Sequence, residues 1–333
     1  MITTRTIGRF LIMFLGALAW VVAGSARADY LNIYAFGDSL SDAGNAYTLT
    51  GGLVPPSPPY DQRFSNGPVA VERLASDLGI AGFRASLSLP PGGTDYAVAG
   101  ADTGTGNYST LSLPFPLDTL FANTGMETQV GSFVGAPPGF NPATSLFFLW
   151  GGPNDIFTAL DTNSNLNTAV SDAITNLSNE ILALAGIGAE HFLIPNLPDL
   201  GVTPFGLTSG DSAGLTALSA GFNTGLASAL TGLRSSLALD IREFDVFGFM
   251  HDVIGDPSAF GLTDVRDPCF NESTLELCAN PDQYLFWDRV HPTTTADAVL
   301  AARFARTVPE PATIALLGIG LAGLGLSRRR RTR

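Results

Sequence analysis

Three widely separated motifs carry side chains whose chemistry could combine into one nucleophilic site. Ser39 stands in "FGDSLSD" directly after Gly37, Asn154 stands in "GGPND", and "DRVHPT" places Asp288 three residues before His291. A serine hydroxyl attacks a carbonyl when a base removes its proton, and a carboxylate orients that base. An amide can donate a hydrogen bond to the oxyanion that the attack creates. These residue types predict a serine nucleophile with a histidine base, an orienting acid and an amide donor.

The choice of histidine follows from local spacing. Asp288 can fold back onto His291, from position i to i+3, and this contact leaves the second ring nitrogen of the histidine for the serine. The chain contains only two other histidines, His191 and His251. His191 stands at the start of a predicted strand, and the acid beside His251 is adjacent in sequence and cannot fold back in the same way. We therefore expect both of them to be structural.

Two other interpretations of the "FGDSLSD" motif compete with a serine nucleophile. Serine is a common helix N-cap, which would make it a purely structural residue. Asp38 could instead attack a phosphoryl group, but that chemistry requires a second aspartate where the chain has Leu40, and the chain contains no lysine to hold phosphate. The spacing also differs from the G-x-S-x-G elbow, because Leu40 and Ser41 follow the serine. We expect Asp38 and Asp42 to frame the serine and not to act as catalysts.

Apolar runs of strand length alternate with helical runs along the body of the chain. Because the strand runs are apolar on both faces, they favour a parallel sheet that is covered by helices on both sides. Ligands of such sheets bind beyond the carboxyl ends of the strands. The junctions before Ser39, Gly100 and Asn154 should therefore meet at one edge of the sheet. The predicted strands lie within 31–36, 95–101, 145–155, 191–196 and 241–247, and the predicted helices are 68–79, 167–189, 213–240 and 295–307.

The motifs, taken in this order, resemble the SGNH or GDSL family of serine esterases and lipases. Residues 37–40 match the first family block, "GGPND" matches the third, "DRVHPT" matches the fifth, and "DYAVAGA" (95–101) resembles the second. "RFSNGPV" (63–69) is similar to a stretch that secreted bacterial members carry after the first block. The resemblance covers residues 30–307, so we predict one hydrolase domain over residues 29–307.

The resemblance implies a three-layer α/β/α sandwich with a flavodoxin-like parallel sheet of about five strands. It implies that Ser39 attacks an ester carbonyl and forms an acyl-enzyme, with His291 as general base. The backbone N–H groups of Ser39 and Gly100 and the amide of Asn154 would hold the oxyanion. The resemblance implies no metal and no cofactor.

The implied function is an exported serine esterase or lipase that hydrolyses carboxylic esters. Acyl transfer and O-acetyl ester hydrolysis on an exopolysaccharide are alternatives at the same site, and a non-catalytic glycan-binding surface protein is an alternative without chemistry. Aromatic residues in the loops suit an apolar acyl group, although ordinary loop packing explains them equally well. A lipid, a short-chain ester and an acetylated glycan all stay open as substrates. The aromatic residues are Tyr60, Phe64, Tyr108 and Phe115.

The first 28 residues have the pattern of a secretory signal peptide. Arg5 and Arg9 precede an apolar run, and Ala26 and Ala28 supply the small residues that a signal peptidase requires. We predict removal of residues 1–28. The alternative is an uncleaved anchor, for which the apolar run is short.

The last 26 residues, 308–333, resemble the PEP-CTERM sorting tail. They hold Pro309, Glu310 and Pro311, then an apolar stretch at 313–326, then four consecutive arginines at 328–331. The resemblance implies export across the inner membrane of a Gram-negative bacterium and processing by an exosortase. The tail would be inserted in the membrane before processing, and the body would reside in the periplasm, at the cell surface or in the extracellular matrix. A plain tail anchor is the alternative.

Charge excludes one class of partner. The body between residues 29 and 308 holds 9 arginines against 29 acidic residues, a net charge near −20. Such a body repels nucleic acid and anionic lipid headgroups. We therefore expect no nucleic-acid partner.

The two cysteines, Cys269 and Cys278, lie nine positions apart. In an exported protein such a pair forms a disulfide by default. Metal thiolates would require further ligands at a suitable spacing, and the sequence offers none.

Overall fold

Four short apolar segments form a parallel sheet. The computed structural model describes residues 30–90, 92–237 and 239–308. In the described chain the strand order is β1-β2-β3-β4, and all three pairs are parallel. Their carboxyl ends therefore lie at one edge of the sheet. The strands are β1 (Asn32–Gly37), β2 (Ser145–Trp150), β3 (His191–Pro195) and β4 (Asp240–Phe244).

Helices cover both faces of this sheet, so the predicted three-layer α/β/α fold is confirmed. Alternate strand side chains face opposite sides. Tyr34 and Phe147 belong to the core that forms against the helices Met126–Gly135, Leu166–Gly186 and Ser212–Ser236, whereas Phe148 packs on Phe304 of the last described helix. The helices are α1 (Asn45–Leu49), α2 (Ala70–Asp77), α3 (Ser109–Ser112), α4 (Leu117–Leu120), α5 (Met126–Gly135), α6 (Pro153–Asp161), α7 (Leu166–Gly186), α8 (Pro204–Thr208), α9 (Ser212–Ser236), α10 (Val246–Gly255) and α11 (Thr294–Thr307).

Side-chain caps set the starts of the long helices. The side chains of Asn165, Asp211 and Thr293 accept backbone N–H groups in the first turns of α7, α9 and α11. Such caps satisfy donors that the helix itself leaves open. All three helices were predicted from the sequence, and each begins within one residue of the predicted position. The several glycines of α9 do not interrupt it.

The segment predicted as a strand at 95–101 is the main difference from the sequence-based expectation. It runs beside the free edge of β1, where Ala35 and Asp95 form a bridge and the N–H groups of Tyr96 and Val98 donate to the carbonyls of Ala35 and Gly37. The side-chain amide of Asn45 donates to the carbonyls of Asp95 and Ala97. The N–H of Gly37, at the end of β1, bonds to the side chain of Gln129 and not to this segment, so a continuous strand ladder does not form. The described sheet consequently has four strands, where about five were expected.

A smaller layer of loops and short strands carries the histidine motif. Parallel β5 (Asp264–Pro268) and β8 (Tyr284–Phe286) pair with each other, and β6 (Phe270–Asn271) and β7 (Glu276–Leu277) form a hairpin. In the structure a disulfide between Cys269 and Cys278 flanks this hairpin.

The predicted signal peptide lies outside the described residues, and so does the tail beyond Val308. Within the described part of the chain, no helix combines the length and apolar character that membrane crossing requires. The boundaries at residues 28 and 308 stay predictions.

Candidate active site

Ser39 lies in a tight turn that follows β1. A Cβ atom at Gly37 would lie 2.4 Å from the carbonyl oxygen of Trp150, so only glycine allows the two strands to approach here. The amide side chain of Gln129 bonds both the N–H (3.0 Å) and the C=O (2.9 Å) of Gly37. The end of β1 is thus held from two sides before the chain turns.

The helix after this turn begins at Asn45, so Ser39 is not its N-cap. Asp42 satisfies that helix start instead, because its carboxylate accepts the N–H groups of Gly44 and Ala46. Asp42 also accepts the N–H of Ala99 and so joins the segment at 95–101 to this turn. The serine hydroxyl is left for another partner.

That partner is His291. Its Nε2 lies 2.8 Å from Ser39 Oγ, and its Nδ1 lies 2.7 Å from Asp288 Oδ2. A carboxylate accepts hydrogen bonds, so Nδ1 carries the ring proton and Nε2 accepts the serine proton. The structure therefore brings together three residues that the motifs singled out, two of them 252 positions apart.

Asp288 is buried and has a full set of donors. Its Oδ1 accepts the backbone N–H groups of Val290 and His291 at 2.9 Å, and its Oδ2 accepts the Tyr60 hydroxyl at 2.8 Å. Burial acts to raise the pKa of Asp288, but the charge of His291 and these donors outweigh it and lower the pKa. The carboxyl group is therefore ionised.

The pairing with Asp288 raises the pKa of His291, whereas it lowers the pKa of Asp288. Burial acts to lower the pKa of His291, but the charge and hydrogen bond of Asp288, together with Asp38 and Glu272, raise it. Phe64 packs against the imidazole with ring centroids 5.1 Å apart. The ring is thus held on three sides with Nε2 facing the serine.

Asn154 lies in the first turn of α6, just beyond β2. Its Nδ2 donates to Asp38 Oδ2 at 3.2 Å and to the carbonyl of Ala101 at 3.1 Å. Burial raises the pKa of Asp38 to about 7. Because Asp38 directly precedes Ser39, its hydrogen bond with Asn154 Nδ2 holds the amide beside the serine turn.

Gly100 has a backbone conformation that glycine alone adopts easily. Its φ is +78°, and a Cβ atom there would lie 2.3 Å from Ser109 Oγ. Among the described residues, neither the N–H of Gly100 nor that of Ser39 donates to another group. Both residues line one cavity together with Asn154, so these two backbone N–H groups are available to a ligand there.

The cavity has a volume of about 610 Å³, within the range of small-molecule sites. Its walls are predominantly apolar, and no lysine or arginine lines it. Tyr60, Phe64 and Tyr108 line it as the loop pattern suggested, whereas Phe115 points outward and is 81% exposed. The other apolar lining residues include Leu53, Val54, Leu113, Leu117, Phe157, Leu200, Phe270 and Leu275.

The other two histidines lie elsewhere. His251 Nε2 is 2.9 Å from the buried Asp199, and His191 Nδ1 is 3.4 Å from Asp240. Neither has a serine partner. Among the described residues there is also no cluster of three or more histidine, cysteine or acidic side chains able to hold a metal ion.

Sequence analysis missed the roles of Tyr60 and Gln129, and it expected Asp38 to frame the serine but not to hold Asn154. The roles of Tyr60, Gln129 and Asp38 depend on contacts with Asp288, Gly37 and Asn154, which lie 228, 92 and 116 positions away. The loop aromatics were noted for their apolar character, but nothing local indicates a hydroxyl bonded to the acid.

Comparison with known proteins shows which families and relatives the chain resembles. A family model described as GDSL-like lipase/acylhydrolase matches residues 33–304, and one for the PEP-CTERM protein-sorting motif matches residues 307–331. A phosphatidylcholine-sterol acyltransferase of Aeromonas hydrophila is 27% identical, with 88% of this chain and 95% of that protein covered. A GDSL esterase/lipase of Arabidopsis thaliana is 26% identical, with 81% and 86% covered.

Similar solved structures include acetylxylan esterases. A catalytic mutant of one from Geobacillus stearothermophilus gives a TM-score of 0.42 at 13% identity, covering 84% of this chain and 93% of that one. A second acetyl xylan esterase gives 0.42 at 14% identity, covering 84% and 100%. Likeness at this level carries no conclusion about substrate.

Proposed function

Since this chain belongs to the GDSL-like lipase/acylhydrolase family and is a carboxylic ester hydrolase, we propose that it cleaves esters through Ser39, His291 and Asp288. The observation that carries the proposal is the continuous contact from Ser39 Oγ to His291 Nε2 and from Nδ1 to Asp288. A serine, a base and an orienting acid in this order are the parts that nucleophilic acyl transfer requires.

The reaction proceeds in two halves. Ser39 Oγ bonds to the ester carbonyl carbon while its proton moves to His291 Nε2, and the carbonyl oxygen takes the negative charge. Collapse of this intermediate breaks the bond to the alcohol oxygen, which takes the proton from Nε2. Water then repeats the steps on the acyl-enzyme, releases the acid and returns Ser39. Asp288 stays ionised and stabilises the imidazolium that forms twice in the cycle.

The oxyanion is held by the N–H groups of Ser39 and Gly100 and by the Asn154 amide. Both N–H groups are without partners in the described chain, which favours this role. Asn154 donates to Asp38 across 3.2 Å, a long bond that an oxyanion can replace. Loss of one such donor costs about 3–4 kcal/mol of transition-state stabilisation.

The hydrogen bond from the Tyr60 hydroxyl to Asp288 leads to a testable prediction. We expect Tyr60→Phe to lower kcat by about tenfold, the order of one hydrogen bond to a charged group. Without this donor the Asp288 carboxylate attracts the imidazolium more strongly, so the pKa of His291 rises. A protonated His291 cannot accept the serine proton. The acid limb of the pH–rate profile should therefore move to higher pH, which initial rates between pH 5 and pH 9 measure.

Tyr47→Phe is the matched control, because Tyr47 also lies in this part of the chain but does not line the cavity. Its kcat and pH profile should equal those of the unaltered protein. A Tyr60→Phe protein with lower thermal stability but unchanged kcat and pH profile would show that the hydroxyl has a structural role alone.

The substrate proposed is an ester with an acyl chain longer than acetyl. An acetyl group would leave most of a 610 Å³ apolar cavity unfilled. Each buried CH₂ contributes about 0.8 kcal/mol, so a longer chain gains affinity until the cavity is full. This favours a lipid-like ester over an acetylated glycan.

Acyl chain length tests the substrate class. We expect kcat/KM for p-nitrophenyl esters to rise about fourfold per CH₂ at first, from acetyl to hexanoyl. Assays of both esters at concentrations below their aggregation give the ratio. A preference for acetyl, together with release of acetate from an acetylated glycan, would replace the proposed substrate by an O-acetyl ester.

Acyl transfer to an alcohol is the second candidate, because a phosphatidylcholine-sterol acyltransferase is among the similar proteins. An apolar cavity that admits an alcohol and excludes water favours transfer over hydrolysis. Product analysis in the presence of an added alcohol distinguishes a new ester from free acid.

The sorting motif at 307–331 indicates an exported, exosortase-targeted protein of a Gram-negative bacterium. We infer that residues 1–28 are removed on export and that an exosortase acts near Pro309–Pro311. The enzyme would then act in the periplasm, at the cell surface or in the matrix. Mass spectrometry of the mature protein gives both ends.

A further inference from the structure

A band of exposed apolar side chains lies on three segments that contribute to the cavity wall. We call it the apolar rim and define it as Leu53, Leu111, Phe115, Leu120, Leu275 and Leu277, whose side chains are between 40% and 81% exposed. These six are half of the large exposed apolar residues in the described chain. All of them come from the three segments that also form the cavity wall, so the concentration is local.

Residues of the apolar rim and residues that line the cavity alternate within the same segments of the chain. Leu113 and Leu117 line the cavity, while Phe115 between them is 81% exposed. Leu53 and Leu275 do both, since they line the cavity and are 61% and 75% exposed. A surface that covers the rim therefore also covers the cavity mouth.

The charge of the three segments indicates which kind of surface the apolar rim can contact. Residues 50–60, 108–121 and 270–278 contain no lysine or arginine and carry Asp118, Glu272 and Glu276. An anionic surface would be repelled, and the net charge of the body adds to that repulsion. Exposed apolar patches of this kind mark interaction sites, and an apolar surface without net negative charge fits this patch.

We propose that the apolar rim docks on a neutral or zwitterionic lipid surface and so presents the cavity mouth to acyl chains in it. This inference rests on the proposed ester hydrolysis and extends it. Long-chain esters are held in aggregates and not in free solution. A rim that enters the lipid lets an acyl chain pass into the cavity without crossing water. A second copy of the chain is the competing occupant.

The test compares Phe115→Ser with Leu89→Ser in the full chain. Phe115 belongs to the rim but does not line the cavity, and Leu89 is 88% exposed outside both. Each protein is assayed on dissolved p-nitrophenyl acetate and on a long-chain p-nitrophenyl ester in phosphatidylcholine vesicles. The C-terminal tail is present in all proteins, so its own membrane affinity is common to them.

Phe115→Ser should lower the vesicle rate about fivefold to tenfold, which is the partial loss of one buried aromatic side chain, and leave the acetate rate within about twofold. Leu89→Ser should change neither rate. Equal vesicle rates for the two variants would overturn the docking proposal. So would a Phe115→Ser protein that changes from dimer to monomer in sedimentation with its vesicle rate retained.

A different result is expected if the protein does not hydrolyse esters at all. In that case the unaltered protein would hydrolyse neither ester. Co-flotation of the proteins with vesicles then tests the rim without catalysis, since Phe115→Ser should float less than Leu89→Ser. Equal flotation in that case would reject the rim as well.

Discussion

Replacing Ser39 with alanine is expected to reduce kcat/KM for p-nitrophenyl hexanoate by at least about 10⁴-fold. Loss of the nucleophile of a serine triad leaves only the rate enhancement from binding and the oxyanion donors. The hydroxyl bonds only to His291 in the described structure, so its removal leaves no buried group of the core unpaired. The melting temperature should therefore change little. Initial rates and thermal unfolding of the same preparation measure both quantities.

Ser41→Ala is the matched control for this prediction. Ser41 lies two residues further along the same turn, is fully buried, and its hydroxyl has no hydrogen-bond partner among the described residues. Its removal should leave kcat/KM within about threefold of the original value, because no hydrogen bond is lost. If Ser41→Ala abolished turnover and Ser39→Ala retained it, the assignment of the nucleophile would be wrong.

His291→Ala should have an effect of similar size, with kcat reduced by at least about 10⁴-fold. The serine proton then has no acceptor, since among the described residues Nε2 of His291 is the only base that hydrogen-bonds to Ser39 Oγ. In the unaltered protein the pKa of His291 is raised above its ordinary value. Activity should therefore decline as pH falls through a value above about 6.5, because protonation removes the base. Rates measured from pH 5 to pH 9 give this limb.

His251→Ala is the control, because His251 also pairs with a buried carboxylate, Asp199, but has no serine partner. It should keep its turnover and its pH profile. Loss of activity in His251→Ala together with retained activity in His291→Ala would transfer the base to the other histidine–aspartate pair and would refute the arrangement proposed here.

Parts of the site could be predicted because they are local. The contact between Asp288 and His291 spans three positions, and the turn around Ser39 follows directly from a strand that ends in glycine. The alternation of apolar strands and amphipathic helices likewise predicts a parallel sheet with two helical layers. Each of these signals lies within one element or one turn, where spacing decides which side chains meet.

The segment at 95–101 shows where such reasoning fails. Its apolar residues predicted a strand, yet the side chain of Gln129, 92 positions from Gly37, takes the N–H at the end of β1, so the ladder between this segment and β1 is incomplete. A side chain from elsewhere competed with the ladder for the same hydrogen bonds. Local periodicity holds no information about that competition.

The sequence by itself indicated the candidate reacting groups, their order along the chain and the parallel sheet, and it predicted the signals at its two ends. Only the tertiary structure decided that Tyr60 completes the donors of Asp288, that Gln129 holds the end of β1, and that three distant loops enclose one apolar cavity with an exposed rim. The physical reason is that chemistry resides in residue types and local spacing. The volume of a cavity, the burial of a carboxylate and the partner of a hydroxyl depend instead on packing between segments far apart in the chain.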